Sequence, residues 1–113
     1  MSDSLSFWKM VGAGNDFIVL DARRGLPRPA AELAVRLCPR RVSVGADGLI
    51  ALTRAVPGEV AVDFVNADGS PAGFCGNGAR CTARYAIATG LAGPPLTVVF
   101  PALTVTAGGA GGA

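Results

Sequence analysis

The sequence predicts an α+β domain, with a β-rich sheet curled around one central helix. One observation is the stretch after Gly78, Ala-Arg-Cys-Thr-Ala-Arg-Tyr-Ala-Ile-Ala, which is dominated by good helix formers. Ala79, Ala83, Ala86, Ile87 and Ala88 are small or apolar, and Arg80 and Arg84 form a narrow charged stripe four residues apart. A helix apolar round most of its girth belongs inside a fold, and small side chains let sheet backbone come near. The other observation is that the rest of the chain alternates short apolar or β-branched runs with turn residues, the signature of short strands.

Residues 5–10 read as the first strand, with Phe7 and Trp8 supplying bulk, and residues 17–21 as a buried second. Val11-Gly-Ala-Gly-Asn-Asp16 connects them as a loop or bulge. It is not a nucleotide fingerprint, because Phe17 stands where G-x-G-x-x-G needs its third glycine. Its glycines serve a tight β connection, or else let Asn15 present an amide, donor and acceptor at once, to a ligand. The residues alone leave both readings open. Residues 23–29 form a Pro/Gly/Arg turn region. Leu33, Ala34, Leu37 and Cys38 then recur at helical spacing until Pro39 ends the run, which makes Cys38 a core residue.

Gly45-Ala-Asp-Gly48 is a turn into a buried strand over residues 49–52, and Pro57-Gly58 marks the next turn. Residues 59–65 set Val60, Val62 and Phe64 against Ala61, Asp63 and Val65, a strand that delivers Asn66 to the following loop. Gly90 stops the central helix and Cys81 within it is core. Thr97-Val98-Val99 and Thr104-Val105-Thr106 read as two last strands. The expected division is a domain over 1–106 and a Gly/Ala-rich tail or linker over 107–113.

The 113 residues suffice for one domain, half of them hydrophobic and 16% charged, so a buried core is expected rather than disorder. A formal charge of +2 is too weak and too scattered for a nucleic-acid partner, and Arg23-Arg24 and Arg40-Arg41 read as solvated pairs. The chain has no histidine, which excludes Ser-His-Asp and Cys-His catalysis within it. Cys38, Cys75 and Cys81 lack zinc-type spacing, so no metal is expected. No basic region leads into an apolar run near Met1, so no secretory signal is read and a reducing cytoplasm is expected. Residues 85–113 carry no charge, yet glycines and prolines interrupt them too often for a membrane span.

The chemistry is concentrated in residues 66–85, NADGSPAGFCGNGARCTARY. A turn-rich Asn-Ala-Asp-Gly-Ser-Pro run precedes Cys75, and helix-forming composition follows it. A helix N-terminus favours a thiolate and lowers a thiol's pKa. Its N–H groups also bind anions such as a carboxylate. Gly76 and Gly78, without Cβ atoms, would let backbone approach a ligand closely. A lone cysteine is more often a small buried hydrophobe; the flanking glycines and the helix start favour the reactive reading.

Asn66-Ala-Asp-Gly-Ser70 followed by Cys75-Gly-Asn-Gly-Ala-Arg-Cys81 resembles the first cysteine motif of the diaminopimelate epimerase family. Lys9-Met-Val-Gly-Ala-Gly-Asn-Asp-Phe17 resembles that family's N-terminal motif, and Gly45-Ala-Asp-Gly-Leu-Ile50 another of its motifs. The resemblance covers only the first half of the family pattern. It implies one half of a two-domain, pseudo-symmetric fold, and a cofactor-independent amino-acid epimerase converting LL- to meso-diaminopimelate for lysine and peptidoglycan. It makes Cys75 one of two acid/base cysteines, with Asn15, Asn66, Gly76 and Asn77 on the substrate. No pyridoxal phosphate is implied, Lys9 being the only lysine. The second cysteine motif belongs to a C-terminal half, supplied separately or through an oligomer. A catalytically incomplete half acting as a binding or structural module is the alternative. Proline-racemase and phenazine-pathway isomerases match the cysteine motif less closely.

Overall fold

The computed structural model describes residues 5–12, 14–41, 43–73, 76–93, 95–100 and 104–107, the last four as backbone only. The elements run β1 (Trp8–Val11), β2 (Asp16–Asp21), α1 (Ala30–Leu37), β3 (Gly48–Val56), β4 (Glu59–Asn66), α2 (Gly76–Ala88), β5 (Leu96–Val99) and β6 (Thr104–Ala107). They make an α+β domain with one mixed sheet in which spatial order follows chain order from β1 to β6. β1–β2, β3–β4 and β5–β6 pair antiparallel, while β2–β3 and β4–β5 pair parallel. Parallel neighbours need a crossover. The two helices supply them, α1 between β2 and β3, and α2 between β4 and β5.

The helices bury different faces of the strands. Leu33, Ala34 and Cys38 cluster with Ile18, Leu20, Leu49, Ala51 and Val65. Ala79, Cys81, Ala83, Tyr85 and Ala86 cluster with the alternate residues Phe17, Val19, Ile50, Leu52, Val60, Val62 and Phe64. Strands buried on both faces read as unbroken apolar runs, which is why Phe17 to Leu20 and Leu49 to Leu52 show no alternation. β4 is covered less evenly, so Asp63 is exposed where Val60, Val62 and Phe64 are buried. Phe64 meets Phe17 edge-on at 5.4 Å between ring centroids and Phe100 at 6.3 Å. Each such buried side chain contributes roughly 1.5–3 kcal/mol of transfer free energy. α2 contacts β1, β2, β3, β5 and β6, reaching both edges of the sheet.

α1 follows from its sequence. Glu32 sits in the first turn and Arg36 in the last, matching the helix dipole. Arg28 and Arg36 flank Glu32 at 2.8 and 3.6 Å. The Cys38 N–H donates to the Ala34 carbonyl at 2.9 Å before Pro39 stops the run.

Several boundaries differ from expectation. β1 starts at Trp8 rather than at residue 5, and extends to Val11. β3 takes in Gly48, expected in a turn, and continues to Val56 because its pairing with β4 persists across an irregularity between Leu52 and Arg54. α2, by contrast, begins at Gly76, the residue after Cys75, where its start was expected. Ile87 is 41% exposed and Ala88 is exposed, since they share the outer face of α2 with Arg80 and Arg84, while Tyr85 and Ala86 of the same turn are buried. Cys38 and Cys81 lie in the core as expected, 2% and 0% exposed. Among the described residues no helix is long and apolar enough to cross a membrane. Of the expected tail over residues 107–113, Ala107 ends β6 and the remainder lies outside the described residues.

Candidate functional site

Strand polarity gathers the polar motif residues at one end of the sheet. β2 and β3 run parallel with Phe17 opposite Gly48, and β4 returns so that Asn66 lies opposite Gly48 on the other side. Asn15 and Asp16 at the start of β2, Asp47 ahead of β3 and Asn66 at the end of β4 are thereby neighbours. α2 starts at the same end. Gly12 lies so near it that a Cβ built there would stand 2.9 Å from the Asn77 Cβ.

Two of the expected substrate-binding residues meet directly. The Asn77 Nδ2 donates to the Asn15 Oδ1 at 2.8 Å. The Asn15 Nδ2 donates in turn to the Asp47 Oδ2 at 3.3 Å, and the Arg80 guanidinium donates to the Asn77 Oδ1. Asn66 stands apart from this chain of amides. Its Nδ2 donates to the Ser70 Oγ at 3.0 Å, and its backbone N–H to the Ser70 carbonyl at 2.9 Å. The Ser70 N–H and hydroxyl both donate to the Asp68 Oδ1, at 2.9 and 2.6 Å, and Gly69 takes a φ of 87° to close the turn. These bonds hold the Asp68 carboxyl below its ordinary pKa.

Behind Asn15 lies an ion-pair cluster that composition did not reveal. Asp16 and Asp47 exchange bonds: the Asp16 N–H donates to the Asp47 Oδ2 and the Asp47 N–H to the Asp16 Oδ1, each at 3.1 Å. Arg40 bridges the two carboxylates, 2.7 Å from Asp16 and 3.2 Å from Asp47, and Lys9 lies 3.1 Å from Asp16. The Arg40 guanidinium, then Lys9 and the Asp47 backbone bond, hold the Asp16 carboxyl well below the usual carboxylate range despite its burial. Arg40 is raised reciprocally by the same carboxylate. Arg40 was expected to be merely solvated. The overlooked signal was an acidic residue at the start of each of two buried runs, Asp16 before Phe17 and Asp47 before Gly48-Leu49. Parallel pairing of those runs puts both acids together, and one cation must then serve both.

Asn15, Phe17, Asp47, Phe64, Asn66 and Gly73 border an open concavity of about 420 Å³. A second concavity of about 450 Å³ lies between Leu26, Arg28, Thr53 and Asp63 on the α1 face. Volume does not choose between them; the gathering of hydrogen-bonding groups does. Gly76 opens α2 and is partly buried; among the described residues a Cβ there would meet only the Arg80 guanidinium, at 3.8 Å. Cys75, the expected acid/base residue, lies outside the described residues. Cys38 and Cys81 are sealed in the core, and burial pushes the Cys38 thiol up, away from the reactive thiolate. Among the described residues no cluster of His, Cys, Asp and Glu could hold a metal ion.

Fold and site define the class: an α+β domain with helices as crossovers of a mixed sheet, and carboxamides and carboxylates gathered where its strands and its longer helix begin. The sequence model of diaminopimelate epimerase matches residues 7–107. The chain is 45% identical over 87 residues to a diaminopimelate epimerase of Caldanaerobacter subterraneus subsp. tengcongensis, covering 77% of this chain and 31% of that protein. It is 45% identical over 100 residues to that of Xanthomonas campestris pv. campestris, covering 86% and 35%. Against that of Synechococcus sp. strain JA-2-3B'a(2-13) it is 48% identical over 98 residues, covering 82% and 33%. The chain belongs to the diaminopimelate epimerase family. It spans about a third of the length of these relatives.

Proposed function

We propose that this chain is the N-terminal half of a cofactor-independent epimerase of the lysine pathway, acting on diaminopimelate in the cytoplasm. Its partner is a C-terminal half that supplies the second acid/base cysteine, and the domain over 1–106 joins it through the Gly/Ala-rich segment 107–113. In this reading the sheet curls about α2. That α2 reaches both β1 and β6 supports it, because one helix packed against the strands at both edges fits a sheet that bends around it.

The Cys75 thiolate takes the α-proton, and the electron pair of the broken C–H bond stays on carbon. A thiol from the other half then gives a proton to the opposite face. The α-proton beside a carboxylate is weakly acidic, so donors must already be aimed where charge develops. The start of α2 offers the backbone N–H groups of Gly76 and Asn77, with Asn15 and Asn66 adding side-chain contacts. The observation that carries this reading is the convergence of Asn15, Asn66 and the start of α2 at one end of the sheet. Gly76 fits it as well, since no described neighbour crowds a Cβ there and a ligand can approach the bare backbone.

The test is deuterium uptake at the α-carbon of LL-diaminopimelate in heavy water, with this chain alone and joined to a family C-terminal half. The joined protein should yield meso product carrying solvent deuterium, and Cys75→Ala should abolish it. Normal turnover by Cys75→Ala would overturn the assignment. Absence of exchange by the folded joined protein would favour a binding or structural module instead.

A further inference from the structure

The two amides at the site are strung between an anion and a cation. Asp47 is a carboxylate and can only accept; Arg80 is a guanidinium and can only donate. Between them the donors all point one way, from Arg80 to Asn77, from Asn77 to Asn15, and from Asn15 to Asp47. A carboxamide alone can turn over, exchanging oxygen for nitrogen with little change of shape. Here turning Asn15 would set its oxygen against the Asp47 carboxylate, and turning Asn77 would set its N–H groups against the Arg80 guanidinium. The two charges thus fix both amides in one orientation, and bonds aligned in series strengthen one another.

Asp47 is itself immobilised. Its Oδ2 takes the Asp16 N–H as well as the Asn15 amide, its Oδ1 takes Arg40, and its own N–H is held by Asp16. Arg80 is anchored differently, on the exposed side of α2 one turn beyond Asn77. One end of the string is therefore set by the sheet and the other by the helix.

We infer that Asp47 and Arg80 are positioning residues: acting on the bonded pair of Asn15 and Asn77, they set which end of the Asn15 amide faces the concavity. Among the described residues, one Asn15 Nδ2 proton goes to Asp47 and the second is left for a ligand. Asn15 thus meets a ligand as a donor, and the matching ligand group is an acceptor such as a carboxylate or carbonyl oxygen. The consequence for catalysis rests on the epimerase reading above, whereas the orientation of the amides does not.

The decisive variant is Arg80→Met, because Arg80 is exposed and its loss leaves the core intact, with Arg80→Lys restoring a donor cation. The side-chain NH2 signals of Asn15 and Asn77 in 15N-resolved NMR report orientation without any need for activity. In the 113-residue chain, Arg80→Met should shift or broaden both pairs at unchanged melting temperature, and Arg80→Lys should return them. Asp47→Asn should disturb the Asn15 pair in the same manner. In the chain joined to a C-terminal half, Arg80→Met should lower kcat/KM on the order of 10- to 100-fold, the cost of a misplaced contact group. Unmoved Asn15 and Asn77 signals in Arg80→Met would overturn the inference, as would unchanged kcat/KM. A wild-type joined protein without turnover would count against the epimerase reading only, since the NMR comparison would still decide this one.

Discussion

Gly12 links the loop before β2 to the first turn of α2, and adding one methyl group there tests that junction. In Gly12→Ala the new Cβ would stand 2.9 Å from the Asn77 Cβ and 3.3 Å from its Cγ. Carbon atoms settle at about 3.5–4.0 Å, so the overlap is roughly 0.6 Å or more. The Asn77 Cβ is fixed to helix backbone, and no rotamer change moves it. Either the loop or the opening turn of α2 must retreat. The loop resists, because the Gly12 N–H donates to the Asn15 carbonyl at 2.7 Å and closes the turn between β1 and β2. Overpacking of this kind costs about 1–3 kcal/mol. For a chain near 100 residues that corresponds to a fall in Tm of roughly 4–15 °C. The same displacement should part Asn15 from Asn77 and lower kcat/KM in the joined protein.

Urea and thermal unfolding supply the assay, with Gly93→Ala as control, because a Cβ on Gly93 meets no described atom within 4 Å. The control should stay within about 0.5 kcal/mol of wild type, as surface substitutions do. A Gly12→Ala protein that melts with the control and keeps its Asn15 and Asn77 amide signals would refute the junction.

Arg40→Met tests the cation shared by two carboxylates. The Asp16 carboxyl is depressed chiefly by Arg40, so the unfolded chain protonates first as pH falls. The stabilisation is complete above about pH 5 and fades below about pH 4, towards the depressed folded value. In Arg40→Met the folded pKa moves back towards the ordinary one, so stability at pH 7 should fall and its decline between about pH 4 and pH 2 should flatten; parallel pH profiles would contradict this. Cys38→Ala and Cys81→Ala should each cost about 1 kcal/mol by unfolding, with no selective loss of rate. Alkylation of the native protein should modify Cys75 alone, Cys38 and Cys81 reacting only on unfolding; three equal rates would count against both burial and an activated Cys75.

The elements were legible where local chemistry alone decides them. Prolines and glycines bounded α1 and β4, and the change to Ala-rich composition marked α2. What remained hidden depended on pairing. Gly48 reads as a turn residue, yet it starts β3, because a Cβ there would meet the Val65 carbonyl at 2.9 Å and the Phe64 ring at 3.0 Å. Its glycine answers to crowding by β4, a neighbour that no local window contains. Ile87 looks like a core residue by composition, but it falls on the exposed face of α2 that Arg80 and Arg84 also occupy. In the site, Asn15 and Asn77 were legible from their motifs, whereas Asp47 and Arg40 were not. Nothing local distinguishes a turn aspartate from one that accepts the amide of a neighbouring strand, or a solvated arginine from one bridging two acids.

That division explains why site and fold share their supports. Asn15 and Asp47 adjoin because two parallel strands start level, and Asn66 joins them because β4 returns in register with β3. A slip of one residue between β2 and β3 would move every side chain of the slipped strand to the other face, exchanging Phe17 and Val19 for Ile18 and Leu20 in the α2 core. The same slip would carry Asp16 off Asp47 and leave two carboxylates without their common cation. Burial therefore fixes the register, and the register sets the amide string from Arg80 to Asp47. A core substitution that loosens the β2–β3 pairing should weaken the site before it unfolds the chain.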